Sequence, residues 1–329
     1  MNYKFRKLFI TGIISVFIVF NSCDSGDEPK TNDAAMTQAE KLGFEKGKKI
    51  LIIHADDIGM CEEANIAAKQ YLGENQIQSI SLMAPCPAVD EMTEWLKENK
   101  GFDAGIHLTL TSEWKTYRWS SVTPKELVPG LIDGKGMLWP DVLSVVANAH
   151  VVEVEKEIRA QIDKVINSGF RPTHLDSHMG TVFAHYSFLD VYLKIAEEYN
   201  IPATVPDLSK PELVEYYKEK GFPINEDYIK RVVQYEMPKL DNYLTVPEGN
   251  TYEELRENFL GELSSLGPGI TEFYFHPSAY SEELKEITNS WQRRVWEAEL
   301  FSDPLVHKFF EENNIGFTNW IEIMSLHKT

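Results

Sequence analysis

The sequence is poor in cysteine and in basic side chains, and both shortages exclude classes of protein. Its three cysteines in 329 residues are too few for the disulfide framework of a small secreted scaffold. We expect Cys61 and Cys86 to be buried as small apolar residues, although a disulfide between them remains open. The chain has 32 Lys and Arg against 51 Asp and Glu, a formal net charge of −19. Because so acidic a surface repels phosphate backbones, we expect no nucleic-acid partner.

Glycine, proline and long apolar runs are also scarce. The 19 glycines and 16 prolines are too few for a fibrous or low-complexity chain, and 43% hydrophobic residues can form a packed core. No glycine-rich loop follows the first predicted strand, which counts against nucleotide binding. The apolar run at residues 8–20 is shorter than the roughly 20 residues that span a bilayer.

That apolar run belongs to a predicted export signal. Basic residues precede it, and Asn21, Ser22 and Cys23 follow it. A small residue followed by cysteine resembles the lipobox of bacterial lipoproteins, in which the cysteine is acylated. We therefore predict lipidation at Cys23, with an ordinary signal peptide as the alternative.

The predicted organisation has three parts. Residues 1–22 form a lipoprotein signal peptide, the polar residues 23–46 a flexible tether, and residues 47–329 a folded domain. The protein is thus expected to be exported and lipid-anchored to the bacterial cell envelope, at the periplasmic or the surface face of the outer membrane.

Short apolar runs alternate with longer amphipathic stretches from residue 49 onward. Strands are predicted at residues 49–54, 78–84, 103–110, 172–176, 201–205, 270–275 and 315–319. Helices are predicted at residues 62–74, 89–100, 152–168, 189–199, 253–265 and 293–313. This alternation predicts an α/β fold with a parallel sheet, of the size of a TIM-barrel-like (β/α) barrel, with a doubly wound open sheet as the alternative. Residues 111–150 break the alternation and are predicted to be a lid insertion.

Acids and histidines follow several predicted strands at their carboxyl ends, which form the active face of a barrel. Asp56 and Asp57 follow the first strand, where adjacent carboxylates repel unless a cation or a shared proton lies between them. His107 interrupts the third strand, and His276 ends an aromatic strand. The alternatives are an exposed turn for the acids and a core or surface position for each histidine.

A further cluster follows in the segment His174 to His178. Strand periodicity puts His174, Asp176 and His178 on one face, where a metal ion or a hydrogen-bonded polar cluster would satisfy them. Across the strand ends, one Asp and two His can hold a cation with positions left open. The remaining Asp and His can transfer protons. A bound cation together with an acid and a base is what metal-assisted hydrolysis requires.

Four segments carry a family resemblance. They are HADD at 54–57 with Gly59 after it, GIHL at 105–108, PTHLDSH at 172–178 and FHP at 275–277. In these segments and their order, from residue 49 to the C-terminus, the chain resembles the YdjC-like (ChbG/HpnK) carbohydrate deacetylase family, which is related to polysaccharide deacetylases.

The resemblance implies a distorted (β/α) barrel that removes acetyl groups from amino sugars or acetylated mono- or oligosaccharides. It implies three metal ligands, which are Asp57, His107 and His178. It makes Asp56 the general base and His276 the general acid that protonates the leaving amine. His174 and Asp176 fall in the motif as residues that orient the ligands.

Metal and substrate are less defined. Two His and one carboxylate suit Zn²⁺ or another transition metal better than Mg²⁺, yet members of the family are described with Mg²⁺, so both remain open. Many members continue the DSH segment with further histidines, whereas Met179 and Gly180 follow here and change the pocket floor.

Aromatic residues crowd the predicted lid, where Trp114, Trp119 and Trp139 are candidates for stacking on a sugar ring. The alternative is that they anchor the insertion to the barrel. The functional alternatives are a catalytically inactive glycan-binding lipoprotein and a metal-dependent hydrolase of esters or phosphoesters. The oligomeric state is not predicted.

Overall fold

The computed structural model describes residues 36–327. The predicted signal peptide, the predicted lipidation site Cys23 and the tether up to residue 35 lie outside the described residues. At the centre is a seven-stranded sheet whose strand pairs are parallel. The strands are β1 Lys49–Ile58, β2 Ser79–Leu82, β3 Asp103–Leu108, β4 Leu175–Ser177, β5 Asn242–Thr245, β6 Gly269–Phe275 and β7 Gly316–Phe317.

Helices surround this sheet and connect its strands. They are α1 Gln38–Lys41, α2 Glu62–Gly73, α3 Val89–Glu98, α4 Val142–Asn148, α5 Val151–Asn167, α6 Tyr186–Tyr199, α7 Pro211–Glu219, α8 Glu226–Gln234, α9 Tyr252–Ser265, α10 Glu282–Ile287, α11 Trp291–Leu300, α12 Pro304–Glu312 and α13 Trp320–Leu326. In the part of the chain that the structure describes, none of the helices combines the length and the apolar character needed to cross a membrane.

The core lies between the sheet and the helices that cover it. Strand β1 is buried along almost its whole length, as expected for a parallel strand covered on both faces. Helix α5 turns Val154, Ile158, Ile162 and Val165 toward the core, at the spacing of an amphipathic helix. Cys61 and Cys86 are free, buried thiols, in agreement with their predicted packing role.

The sheet curves into a distorted, partly closed barrel, which confirms the predicted fold class. Its strand order is β4-β3-β2-β1-β6-β5, with β7 paired to β1. Two isolated bridges, Leu175 to Ala203 and Pro206 to Leu240, link the outer strands through residues 203–206. The predicted strand at 201–205 is therefore wrong, since this segment forms isolated bridges and no continuous strand. Pro202 and Pro206 lack the amide hydrogens that a continuous ladder needs.

Two further predicted boundaries differ from the structure. The helix predicted at 293–313 is two helices, α11 and α12, since Asp303 accepts from the Leu305 amide (2.7 Å) and Pro304 begins the second. The described end of the predicted tether is folded. Gln38 and Ala39 donate their amides to the buried Asp241 carboxylate (3.0 and 3.3 Å), so the domain begins about ten residues earlier than predicted.

The predicted insertion is a compact segment that covers the carboxyl ends of the strands. Tyr117 donates to the Met60 carbonyl (2.8 Å) just after β1, and Thr116 donates to the Glu286 carbonyl (3.1 Å) at the end of α10. Inside the insertion Arg118 binds Asp133 (2.9 Å). The segment is thereby fixed above the edge where the predicted site residues lie.

Gly105 in β3 illustrates how closely the barrel interior is packed. A Cβ atom at this position would lie 2.5 Å from Nε2 of the buried His174. We expect Gly105→Ala to lower the free energy of unfolding by about 1–3 kcal/mol, the usual effect of overpacking a core. Gly73→Ala, at the end of α2 with open space around it, is the matched control and should not destabilise. Equal denaturant midpoints for the two variants would contradict this packing.

Candidate metal centre

Asp57 lies at the carboxyl end of β1, where the backbone turns sharply. Its φ is 62°, and Gly59 follows with φ 84° at a place where a Cβ would lie 2.9 Å from the Val89 backbone. The turn leaves the Asp57 carboxylate fully buried. One oxygen, Oδ2, accepts from Nη2 of Arg294 (2.6 Å), which leaves the other, Oδ1, directed at the site.

Three donor atoms converge at this point. Asp57 Oδ1 lies 3.1 Å from Nδ1 of His178 and 3.4 Å from Nε2 of His107, and the two nitrogens are 3.3 Å apart. His107 comes from β3, and His178 from the turn after β4. The predicted ligands are therefore brought together from three separate strand ends.

Hydrogen bonds on the far side of each imidazole explain why its near nitrogen can bind a cation. His107 Nδ1 donates to Oδ1 of Asp176 (2.8 Å), and His178 Nε2 donates to Oε2 of Glu113 (3.0 Å). When each ring is neutral, its remaining proton lies on this outer side, and the nitrogen facing Asp57 presents a lone pair to a cation. Asp57 Oδ1 is itself a buried oxygen without a hydrogen-bond partner among the described residues. This set of two nitrogens and one carboxylate oxygen fits a divalent metal ion.

The electrostatics of the site also favour positive charge between these atoms. Burial would raise the pKa of the Asp57 carboxyl, but Arg294 and the two histidines hold it well below its usual range. Burial would lower the pKa of His178, but the carboxylates of Glu113 and Asp57 raise it to about 9. The acidic groups that attract protons here would attract a metal ion in the same way.

Asp56 and His276 lie beside this cluster without joining it. Asp56 is almost fully buried, with Oδ1 3.7 Å from Nδ1 of His107 and Oδ2 4.0 Å from Nε2 of His276. His276 follows β6 with 29% of its side chain exposed. Its Nδ1 lies 3.6 Å from Glu297, which also accepts from the His276 amide (2.7 Å). The predicted proton-transfer groups therefore face one another near the ligand set.

Three residues of the site were missed in the sequence: Glu113, Arg294 and Glu297. Glu113 lies in the irregular insertion, where no periodicity marks it. Arg294 and Glu297 lie three residues apart on one buried face of α11, so charged residues at that helical spacing were the available signal. Burial would raise the pKa of Glu297, but His276 and Arg293 lower it.

His174 does not take the predicted place beside the ligands. Its Nδ1 lies 2.9 Å from Thr173 Oγ1 and 3.3 Å from Asp103 Oδ1, and its ring stacks on Trp320 at 5.7 Å between centroids. The predicted shared face of residues 174, 176 and 178 holds for His174 and Asp176, which have polar atoms within 4.8 Å of each other and of His54, whereas His178 belongs to the turn that follows the strand. Strand β4 ends at residue 177, and Met179 and Gly180 adopt φ values of 52° and 62° in the turn that redirects the chain. Asp176 does contact a ligand, as predicted.

The three candidate lid tryptophans separate into two groups. Trp114 lines the cavity, and its ring packs 5.4 Å from the Arg294 guanidinium. Trp119 and Trp139 lie outside the cavity lining and donate their indole N–H groups to the carbonyls of Thr111 and Gly130 (2.8 and 2.7 Å). These contacts favour the alternative given above for Trp119 and Trp139, in which they anchor the insertion.

A cavity of about 490 Å³ opens above the cluster, within the size range of small-molecule sites. Asp56, Asp57, His107, His178 and His276 all reach its surface. Its other walls are largely aromatic and are formed by Trp114, Phe183, Phe222, Tyr243 and Tyr274. The arrangement offers polar chemistry on one side and flat apolar surfaces on the other.

Comparison with known proteins gives concordant matches. The family model described as YdjC-like protein matches residues 50–312. A carbohydrate deacetylase of Thermus thermophilus is 30% identical over 286 residues, covering 84% of this chain and 95% of that protein. Another, of Thermoanaerobacter pseudethanolicus, is 26% identical over 272 residues, covering 83% and 98%. The crystal structure of a candidate cellobiose-phosphate cleavage protein from Enterococcus faecalis shares the fold, with TM-score 0.69, 23% identity and coverage of 84% and 99%.

The contact between Glu113 and His178 generates a prediction about metal affinity. Glu113→Gln keeps an acceptor for the His178 Nε2–H but removes the negative charge. We expect metal affinity to fall by about tenfold or more, as for other partners of metal-bound histidines. The measurement is a metal titration of the apo-protein, with the exposed Glu126→Gln of the same insertion as the control. Equal affinities in the two variants would show that Glu113 has no influence on the site.

Proposed function

The chain belongs to the YdjC-like protein family, and from this premise we propose that it is a metal-dependent carbohydrate deacetylase. The observation that carries the proposal is the convergence of Asp57 Oδ1, His107 Nε2 and His178 Nδ1 below an aromatic-walled cavity. The two relatives described above are both named carbohydrate deacetylase, and each is matched over nearly its whole length.

Asp57, His107 and His178 are the proposed metal ligands. When bound there, a divalent cation supplies electrophilic polarisation of the acetyl carbonyl group. Two imidazole nitrogens and one carboxylate favour Zn²⁺ or another transition metal over Mg²⁺, which prefers oxygen ligands. Arg294 occupies the second oxygen of Asp57, so this carboxylate offers a single oxygen to the ion.

Asp56 is the proposed general base and His276 the proposed general acid. Asp56 takes a proton from the attacking water, and His276 delivers a proton to the nitrogen as the amide C–N bond breaks. The products are acetate and a free amine on the sugar. The support is geometric, because both side chains reach the cavity and their nearest atoms are 4.0 Å apart. Asp176 and Glu113 hold the two ligand histidines in orientation.

The proposed substrate is an acetylated amino sugar, either free or in an oligosaccharide. Trp114 is the candidate stacking surface among the lid tryptophans, since it lines the cavity opposite the polar cluster. The bend at Met179 and Gly180 also forms part of the cavity lining, so it contributes to the shape that the sugar meets.

The proposed roles predict different effects for the adjacent acids Asp56 and Asp57. Asp57→Ala removes a ligand and should abolish metal binding and acetate release together. Asp56→Asn should retain about one metal ion per chain but lower kcat by about 10²-fold or more, because the base is lost. Metal content and acetate release are measured on the same preparations, with acetylated glucosamine oligomers as the first substrates.

His276→Ala is the companion variant and should also keep the metal. Loss of metal from Asp56→Asn with retention in Asp57→Ala would mean that the two aspartates have each other's roles. Stoichiometric metal in the wild-type protein without acetate release from any acetylated sugar would refute the deacetylase proposal.

We further propose that the protein is exported and lipid-anchored through Cys23. The support is the N-terminal sequence, in which basic residues, an apolar run and Ser22-Cys23 follow in the order of a lipoprotein signal. Cys23→Ala should move the protein out of the membrane fraction and leave acetate release per molecule unchanged. Ser25→Ala is the control and should fractionate like the wild type. Unchanged membrane association of Cys23→Ala would exclude lipidation at this residue.

A further inference from the structure

His54 is a buried imidazole in the barrel interior beneath the proposed active site. It lies on β1 two residues before Asp56, so the two side chains point to the same face of the strand. Its exposed surface is 0%. The Nε2 atom lies 2.9 Å from Oδ2 of Asp176 and 3.1 Å from Oδ1 of Asp56.

Nε2 of His54 therefore lies between two carboxylates that have different roles. Asp56 faces the cavity, while Asp176 uses its other oxygen to hold Nδ1 of His107 (2.8 Å). Two carboxylates this close in a buried site repel each other. An imidazolium between them offsets that repulsion. Its Nε2 forms a hydrogen bond with Ser81 Oγ (3.1 Å), and the Ser81 hydroxyl donates in turn to Oδ1 of Asp56 (3.3 Å).

The surroundings of His54 favour its protonated form. Nδ1 lies 3.0 Å from Ser79 Oγ and 3.9 Å from Glu272 Oε1. Burial alone would lower the pKa of His54, but Glu272 and the carboxylates of Asp176 and Asp56 raise it well above its usual range. Both ring nitrogens then carry protons and can donate.

We propose that His54 is a positioning residue for deacetylation, whose Nε2–H, together with the Ser81 hydroxyl, holds the Asp56 carboxylate at the cavity and couples it to the Asp176–His107 pair. This inference rests on the proposed function, in which Asp56 is the base. His54 itself lies below the cavity surface and acts through Asp56.

The neighbouring His174 shows that burial in this core does not by itself create such a link. The two rings pack edge to face at 5.0 Å, and both are fully buried. The Nδ1 atom of His174 instead contacts Thr173 Oγ1 (2.9 Å) and Asp103 Oδ1 (3.3 Å). Only His54 of this pair bridges two carboxylates of the site.

The test is a comparison of His54→Leu and His54→Gln. Leucine has a similar volume and no donor, whereas the glutamine amide nitrogen can donate near the position of Nε2. We expect kcat for acetate release to fall about 10²-fold in His54→Leu, the size of effect that misplacing a catalytic group produces. The kcat of His54→Gln should be about tenfold higher than that of His54→Leu. KM and metal content should stay within about twofold of wild type in both variants, because the metal ligands are untouched.

Gln161→Leu is the matched control for loss of a buried polar side chain. Gln161 is fully buried, binds Thr109 and Glu157, and lies outside the cavity lining. It should lose stability and keep kcat within about twofold. The Gln variant keeps the inference testable if His54→Leu does not fold.

The decisive readout is the coupling with Asp56. If His54 acts through Asp56, adding His54→Gln to Asp56→Asn should lower kcat by less than about threefold further. If both His54 variants keep the wild-type kcat while Asp56→Asn is impaired, the inference about His54 is overturned. The proposed function is not affected by that result. Additive losses in the double variant, or loss of metal from His54→Gln, also overturn it. Full activity in Asp56→Asn alone instead refutes the proposed role of Asp56.

Discussion

Burial of the Asp57 carboxylate is the constraint on which the rest of the site depends. A carboxylate without water is costly unless positive charge or donors surround it. Arg294 from α11 satisfies one oxygen, and the other faces two imidazole nitrogens. Helix α11, the turn after β4 and strand β3 must all be in place for this balance. The candidate metal centre is thereby tied to the folding of the whole barrel.

The same balance of charge extends below the candidate metal centre. Asp56, Asp176 and Glu272 are also buried, and His54 lies among them. Burial raises the pKa of Glu272 to about 8, and this carboxyl group accepts from the Trp320 indole N–H (2.9 Å). The core of this barrel is therefore a polar support for the site as well as an apolar core.

The sequence predicted the site residues correctly where the strand pattern alone determines their position. Asp57, His107 and His276 were found because parallel strands deliver their carboxyl ends to one edge of the sheet. Glu113, Arg294 and Glu297 could not be found in this way, since they reach the site through the insertion and a helix whose contacts are tertiary. Strand β5 was missed because its residues are only partly buried and the run is four residues long. The turn that begins at His178 depends on left-handed φ values at Met179 and Gly180. A methionine in the sequence gives no signal for such a backbone conformation.

The central claim is that one metal ion, held at Asp57, His107 and His178, is required for acetate release. The most direct measurement is a titration in which metal content and acetate release are followed together as a chelator removes the metal and the ion is then returned. The account predicts that both fall in proportion, reach zero together, and recover together at about one ion per chain. Undiminished acetate release from the metal-free protein would contradict it.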